Sequence, residues 1–234
     1  MAHDRATSTQ SAIGDAIFQI TGKRFRDLAY NKHDVELRSA GVIESAVSVP
    51  SQRKLLVLDL DETLLYATEQ RLSIAEEFKT GAYYVYLRPH LRPFLEFCVN
   101  RFDVGVWTSS SADYAQAVVM VLFGSLGHLK FVWSRTRCTL RYDPETHRQY
   151  WVKDLRKIRR IGYPLERVIV IDDTAKKHER NYGNLVRVSA FEGQPDDNEL
   201  LHLVRYLDAL ADVDNVRLVE KRGWRHRRTG PNAI

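Results

Sequence analysis

Short apolar runs alternate along this chain with segments in which apolar residues recur at helical spacing. The runs are predicted to form five strands of one sheet, at residues 55–59, 103–107, 131–133, 167–173 and 184–191. The helical patterns predict a helix with Pro93 in its first turn and further helices over residues 112–123, 153–160 and 196–210. Strands that alternate with helices are typical of a parallel α/β sheet. We therefore expect a Rossmann-like fold, with helices flanking a parallel sheet.

Two patterns do not fit this alternation and are interpreted as small insertions. Tyr83–Leu87, with the sequence YYVYL, is strand-like, and residues 138–152 read as a hairpin that turns at Asp143-Pro144. Only about twenty residues separate DETLL from VYLRP, too few for an independently folded lid. We therefore expect small insertions and no large cap domain.

Composition and charge divide the chain into three parts. Residues 1–50 are predicted to be an N-terminal extension with a weak amphipathic helix at 12–30, and residues 51–218 to be the main domain. Residues 219–234 are predicted to be a basic tail, since 221–234 carry five basic groups and no acid against a net charge of +5 for the whole chain. Trp224 among arginines would allow the tail to contact nucleic acid or an acidic partner, although a solvated, frayed terminus is the favoured interpretation.

Cysteine content and hydropathy bear on the compartment. The two cysteines, Cys98 and Cys138, have neither CxxC spacing nor a Cys/His cluster, which disfavours structural zinc and favours a reducing compartment. No apolar stretch approaches the roughly 20 residues that span a bilayer. We expect a soluble, intracellular protein, cytoplasmic or nuclear, that is a monomer and does not contact membranes.

Polar residues follow three of the predicted sheet strands. Asp59 and Asp61 end the first strand, Thr108 follows the second, and Asp172 and Asp173 end the fourth. Ligands of open parallel sheets bind outside the carboxyl ends of the strands. In extended geometry Asp59 and Asp61 would share a face, where two carboxylates repel unless a cation lies between them. The pattern therefore predicts a cation site at this edge of the sheet.

These segments, in this order, resemble the four motifs of the haloacid dehalogenase (HAD) superfamily of phosphotransferases. Asp59 to Thr63 resembles the first motif, DxDxT; Thr108 resembles the second, Lys153 the third and Asp172-Asp173 the fourth. Within the superfamily, the longer matches resemble the FCP1/SCP-like (NLI-interacting-factor-like) phosphatases, which act on the carboxy-terminal domain of RNA polymerase II. These matches are DLDETLL, RPHLRPFLEFC, WTSSSADYA, YWVKDL and DDNELLHLVRYLDAL.

The resemblance implies a Mg²⁺-dependent phosphatase that works through an aspartyl-phosphate. Asp59 would be the nucleophile, and Asp61 the acid that protonates the leaving oxygen and later activates water. The metal would be held by the Asp59 carboxylate, the Asp61 carbonyl and Asp173, with Asp172 on the metal or on its waters. The phosphoryl group would be bound by Thr108 and Lys153. Ser109 and Thr63 complete the set of residues predicted to bind substrate, with Thr63 also shaping the loop, whereas three histidines near the motifs are interpreted as surface or capping groups: His90, His147 and His178.

An uncapped site would admit a phosphorylated side chain of a protein, whereas enzymes of small metabolites more often close a lid. We therefore predict a phosphoserine/phosphothreonine protein phosphatase. Two alternatives stay open at this point: a phosphatase of nucleic-acid ends or small phosphate esters, and a non-catalytic phosphopeptide-binding module. Candidates for gripping the residues beside the phosphate, if they do not simply pack together, are Tyr83, Tyr84, Tyr86, Leu140 and Tyr150.

Overall fold

A computed structural model of the protein describes residues 53–226, within which ten strands and four α-helices are found. The strands are β1 (Leu55–Leu58), β2 (Leu65–Thr68), β3 (Phe78–Thr80), β4 (Tyr83–Leu87), β5 (Asp103–Trp107), β6 (Leu129–Trp133), β7 (Thr139–Asp143), β8 (Arg148–Val152), β9 (Val168–Asp172) and β10 (Leu185–Arg187). The helices are α1 (Leu91–Arg101), α2 (Ala112–Phe123), α3 (Arg156–Arg159) and α4 (Glu199–Ala211).

The centre of the fold is a five-stranded parallel sheet in the order β10-β9-β1-β5-β6. All five predicted strands are present, and the predicted parallel α/β class is confirmed. β1 lies in the middle, and its residue Leu58 pairs with Val106 of β5 on one side and with Ile171 of β9 on the other. The carboxyl ends of β1, β5 and β9 are therefore neighbours at one edge of the sheet.

Apolar side chains cover both faces of this sheet, which is why its strands read as unbroken apolar runs. Leu56 and Leu58 face one cluster of buried residues, which includes side chains of α1, α2 and α4. Leu55 and Val57 face a second cluster on the opposite side, where Trp107 packs edge-on against Trp133. Packing on both faces thus fixes the position of each strand, and with it the position of the polar residues at the end of the strand.

The helix predicted over residues 153–160 is wrong at its start. Lys153 and Asp154 continue beyond β8 in non-helical backbone, and the helix contains only Arg156–Arg159. Two local contacts account for the difference: the Lys153 N–H donates to the carbonyl of Lys177 at 2.8 Å, and Asp154 Oδ1 accepts from the Arg156 N–H at 3.1 Å. Lys153 therefore directly follows the last residue of β8.

Both insertions are small antiparallel sheets, as expected for a fold without a large cap. The predicted strand Tyr83–Leu87 is the middle strand of a three-stranded sheet, β2-β4-β3, whose outer strands the sequence patterns missed. The predicted hairpin is formed by β7 and β8, and it turns directly after Asp143, whose Oδ1 accepts from the Glu145 N–H at 3.0 Å.

The structure describes only part of the two chain ends. The predicted helix at 12–30, the N-terminal extension and residues 227–234 lie outside the described residues. Within 219–226, the interpretation as a frayed, solvated tail is wrong. Trp224 is buried, contacts the ring of Tyr206 and donates to the carbonyl of Arg187 at 2.7 Å, so this stretch packs against β10 and α4. Between residues 53 and 226, no helix combines the length and the hydropathy needed to cross a bilayer.

Candidate active site

The candidate site lies where β1, β5 and β9 end. Asp59 follows β1 and donates its N–H to the carbonyl of Ile171 in β9 at 3.0 Å. Thr108 follows β5, and its N–H donates to the carbonyl of Trp133 at 2.9 Å. Asp172 is the last residue of β9. The main-chain hydrogen bonds of the sheet thus fix the positions from which the functional side chains project.

The Asp59 carboxylate is buried between two lysine side chains. Lys153 Nζ lies 2.8 Å from Asp59 Oδ1, and Lys177 Nζ donates to Asp59 Oδ2 at 2.8 Å. Asp59 and Lys153 are each 1% exposed. Burying a carboxylate is costly unless it is paired, so the two ammonium groups make this position tolerable.

Asp172 is bound on both of its oxygens by residues of this chain. Its Oδ2 accepts from Lys153 at 2.6 Å and lies 2.9 Å from His178 Nε2, while its Oδ1 accepts from the Thr174 N–H at 2.9 Å. His178 is 1% exposed, so its interpretation as a surface or capping histidine is wrong. With its carboxylate saturated in this way, Asp172 is suited to hold Lys153 in place.

Asp173 supplies a third carboxylate and keeps one oxygen uncommitted. Its Oδ2 accepts from Thr174 Oγ1 at 2.8 Å, whereas its Oδ1 is buried without a hydrogen-bond partner in the described part of the chain. One oxygen from each of Asp59, Asp172 and Asp173 lies within 4.8 Å of the others. These three carboxylates, here called the acidic cluster, are therefore close enough together to bring oxygen ligands to one divalent cation such as Mg²⁺.

The charges of the acidic cluster are unevenly compensated. Burial raises the pKa of Asp59 above its ordinary value, and the Asp172 carboxylate raises it further, against the opposing effect of Lys153 and Lys177. Burial would also raise the pKa of Asp172, but Lys153, then His178 and Lys177, hold it well below its ordinary value. At Asp59, burial and the neighbouring Asp172 carboxylate thus outweigh the two ammonium groups, so a further cation beside Asp59 would favour its charged form.

Asp61 has a different environment from Asp59, at the turn that follows β1. β1 ends at Leu58, and the chain then turns, with the carbonyl of Leu60 accepting from the N–H of Leu64 at 2.8 Å. The carboxylate of Asp61 is outside the acidic cluster and is bound by three hydroxyl groups. It accepts from Tyr114 Oη at 2.5 Å, from Ser110 Oγ at 2.8 Å and from Thr108 Oγ1 at 3.3 Å.

The other predicted substrate-binding residues surround this turn. The Thr108 hydroxyl is buried between Asp61 and the Ser110 N–H, from which it accepts at 3.0 Å. Ser109 is half-buried, and its carbonyl accepts from Arg135 Nε at 2.7 Å. Thr63 is fully buried, and its carbonyl accepts from Arg88 at 2.9 Å. The structure therefore gives Thr63 a position in the loop interior, and direct contacts of these side chains with substrate stay predictions.

Four side chains at the site were missed by the sequence interpretation: Ser110, Tyr114, Lys177 and His178. Ser110 is the last residue of the motif-like segment WTSS and Tyr114 follows it by four residues, which was a usable signal. Lys177 and His178 lie in TAKKHERN, a stretch of charged residues that is typical of a solvated surface. No local pattern there distinguishes Lys177 from its neighbour Lys176, whose side chain is half exposed and pairs with Asp143.

Glu62 is predicted to make the stability of the folded protein depend on pH. Burial, followed by the charges of Asp61 and Asp173, raises the pKa of Glu62 from 4.5 to about 7. Between these values the folded state holds a proton that the unfolded chain has lost, so the folded state loses stability as the pH rises through this window. Glu62→Gln removes this titration. We expect the metal-free variant to melt about 2–4 °C above the wild type at pH 8 and close to it at pH 4.5. The difference at pH 8 corresponds to about 1 kcal/mol of unfolding free energy that the wild type loses, after allowing for the partial exposure of Glu62.

Thermal melts in EDTA across this pH range would measure the effect. Glu96→Gln, on an exposed position of α1, is the matched control and should follow the wild type throughout. An equal difference between Glu62→Gln and the wild type at both ends of the range would contradict the prediction.

The five candidates for contact with the residues beside the phosphate differ in whether a substrate can reach them. Tyr86 is 1% exposed, and its hydroxyl accepts from the Leu72 N–H at 2.8 Å, so it is unavailable to a substrate. Tyr83 and Leu140 are exposed, whereas the ring of Tyr84 faces Lys79 Nζ at 4.1 Å. Tyr150 donates its hydroxyl to Glu179 at 3.0 Å.

Comparison of the sequence with known proteins identifies similar proteins. The sequence model of the family described as NLI interacting factor-like phosphatases matches residues 54–217. A probable C-terminal domain small phosphatase of Dictyostelium discoideum is 32% identical over 174 residues, which are 71% of this chain and 53% of that protein. CTD nuclear envelope phosphatase 1 of Xenopus tropicalis is 28% identical over 192 residues, 76% of this chain and 75% of the other. The chain thus spans about half the length of the Dictyostelium relative.

Among solved structures, this fold is similar to that of Fcp1, an essential RNA polymerase II CTD phosphatase. The TM-score is 0.54 at 18% identity, over 80% of this chain and 72% of the Fcp1 chain. At this identity the likeness supports the HAD-type fold, a parallel sheet flanked by helices.

Proposed function

The chain belongs to the family of NLI interacting factor-like phosphatases, and from this membership and the geometry of the site we propose that it is a divalent-cation-dependent phosphatase of phosphoserine and phosphothreonine in proteins. The observation that carries the proposal is the environment of Asp59. This buried carboxylate follows the central strand, lies 2.8 Å from two ammonium groups and belongs to a cluster of three carboxylates. Such a group is suited to attack a phosphorus atom whose charge is neutralised by nearby cations.

In the first step, an oxygen of Asp59 attacks the phosphorus and the bond between phosphorus and the seryl or threonyl oxygen breaks. Asp61, as the carboxylic acid, gives its proton to the departing oxygen. In the second step, water attacks the phosphorus of the aspartyl-phosphate and Asp61 takes a proton from the water. The bond between phosphorus and the Asp59 oxygen breaks, which restores the Asp59 carboxylate and releases inorganic phosphate. The hydroxyls of Tyr114 and Ser110, at 2.5 and 2.8 Å, would orient Asp61 in both steps.

Lys153 would neutralise charge on the nucleophile and on the phosphoryl group, and Asp172 would hold it there at 2.6 Å. Thr108 would exchange one of its present hydrogen bonds for one to a phosphoryl oxygen, a role that Ser109 would share. This assignment gives Asp172 a positioning function, because both of its oxygens already accept hydrogen bonds.

The residues present fit Mg²⁺, a cation that prefers oxygen ligands. Asp59 and the uncommitted Oδ1 of Asp173 would hold it, together with the main-chain carbonyl of Asp61. When bound, Mg²⁺ would neutralise the phosphoryl oxygens and orient the ester for in-line attack.

Phosphate release from peptides would test the proposal. Metal-stripped protein should be inactive toward phosphoserine and phosphothreonine peptides, should become active on addition of MgCl₂, and should lose activity again in excess EDTA. A peptide of the same sequence bearing phosphotyrosine and an oligonucleotide bearing a terminal phosphate are the comparison substrates. Faster hydrolysis of the oligonucleotide would favour a nucleic-acid phosphatase instead, and binding of phosphopeptides without turnover would favour a non-catalytic module.

A further inference from the structure

Lys177 contacts every member of the acidic cluster. Its Nζ lies 2.8 Å from Asp59 Oδ2, 3.4 Å from Asp172 Oδ1 and 3.6 Å from Asp173 Oδ1. Lys153 uses the opposite oxygens, Oδ1 of Asp59 and Oδ2 of Asp172. The two lysines therefore contact different oxygens of the cluster. Lys177 is the one near Asp173 Oδ1, the oxygen without a hydrogen-bond partner.

The two lysines differ in their freedom to move. Lys153 is sealed in the protein, with 1% of its side chain exposed, and its ammonium bridges two buried carboxylates. The side chain of Lys177 is 17% exposed. Its backbone is fixed, since its N–H donates to the carbonyl of Thr174 at 3.2 Å and its carbonyl accepts from Lys153 at 2.8 Å. Rotation of its four-carbon side chain would thus carry the ammonium toward solvent without any change of the fold.

A divalent ion on Asp59 and Asp173 would compete with this ammonium for the same oxygens. Mg²⁺ binds oxygen at about 2.0–2.1 Å, closer than the ammonium, and two cations cannot share one set of ligands at such distances. We propose that Lys177 is a built-in competitor of the metal: its ammonium neutralises the acidic cluster when no divalent ion is bound, and it must leave the cluster for the ion to bind. The inference rests on the divalent-cation site proposed above and adds a residue that sets its affinity.

Two consequences follow, and they have opposite signs. Without Lys177, the divalent ion has no ammonium to displace, so its affinity should rise. At the same time the metal-free protein loses a cation that compensates buried carboxylates, so its stability should fall. A lysine that merely packs against the site would not link the two quantities in this way.

The experiment measures metal affinity and thermal stability of the full chain, both independent of turnover. Lys177→Met is the test variant, and Lys177→Gln is a second uncharged variant that keeps hydrogen-bonding capacity. Lys176→Met is the matched control, because Lys176 is the adjacent residue and pairs with Asp143, away from the cluster. Each protein is stripped with EDTA, dialysed, titrated with MgCl₂ by calorimetry and melted with and without the metal.

We expect Lys177→Met and Lys177→Gln to bind Mg²⁺ at least about tenfold more tightly than the wild type. Their metal-free forms should melt about 4 °C or more below the wild type, and saturating MgCl₂ should remove most of that difference. Lys176→Met should match the wild type in both measurements. Unchanged or weaker Mg²⁺ affinity in both Lys177 variants would overturn the inference alone, whereas no Mg²⁺ binding by any of the proteins would overturn the proposed metal site as well.

Discussion

Asp59→Asn is expected to lower phosphatase turnover by about 10⁴-fold or more, because an amide does not provide the nucleophilic oxygen on which the covalent intermediate depends. The replacement keeps the size of the side chain and removes the charge that both lysines contact. Steady-state phosphate release from a phosphoserine peptide measures the loss. Wild-type protein quenched in acid during turnover should carry a hydroxylamine-sensitive phosphoryl group, and the variant should not.

Asp208→Asn is the control for this experiment. Asp208 lies on α4, and 59% of its side chain is exposed. It pairs with Arg101, which is not a residue of the candidate site. Its replacement should leave turnover within about twofold of the wild type, since exposed ion pairs contribute little to stability. Wild-type turnover in Asp59→Asn, or a phosphoenzyme formed by it, would exclude Asp59 as the nucleophile.

Lys153→Met should have the largest effect on stability as well as a large effect on turnover. Removal of its buried ammonium leaves the carboxylates of Asp59 and Asp172 without the cation that lies 2.8 and 2.6 Å from them. Breaking a buried pair in this way costs about 3–5 kcal/mol of unfolding free energy. Turnover should fall by about 10²–10³-fold, the usual loss when one group that stabilises transition-state charge is removed. Urea unfolding in EDTA and phosphate release would measure the two effects.

A double variant separates charge balance from catalysis. Lys153→Met/Asp172→Asn removes one charge of each sign, so it should recover part of the lost stability but none of the turnover. Lys130→Met is the matched surface control: Lys130 is 48% exposed and lies 3.5 Å from Asp103. A double variant no more stable than Lys153→Met would show that buried charge imbalance is not the reason for the loss.

Much of the fold could be predicted because hydrophobic periodicity is local information. The run Leu55–Leu58 is apolar at every position because both of its faces are buried, and the segment of α4 repeats its apolar residues at helical spacing. Asp59, Thr108 and Asp172 could be placed at one edge because parallel strands bring their carboxyl ends together. Lys153 was identified by its resemblance to a motif, although the helix predicted to begin at this residue begins only at Arg156.

The partners of these residues could not be predicted in the same way. The turn after Leu60 directs Asp61 to Tyr114, and this contact depends on the relative position of the β1 turn and α2. Trp224 was predicted to lie in a solvated, frayed terminus, yet it is buried beside Tyr206. In each case the decisive contact joins segments far apart in the chain.

By itself, then, the sequence determined the parallel sheet, the order of its motifs and the carboxylates that end its strands, since burial on both faces imposes a pattern on consecutive residues. Only the tertiary structure decided which charges compensate those carboxylates. Lys176 and Lys177 are adjacent and chemically identical, but one pairs with Asp143 in the hairpin and the other enters the acidic cluster. The physical reason is that an ion pair depends on a few ångströms of separation in space, a quantity set by packing between distant segments rather than by any local pattern.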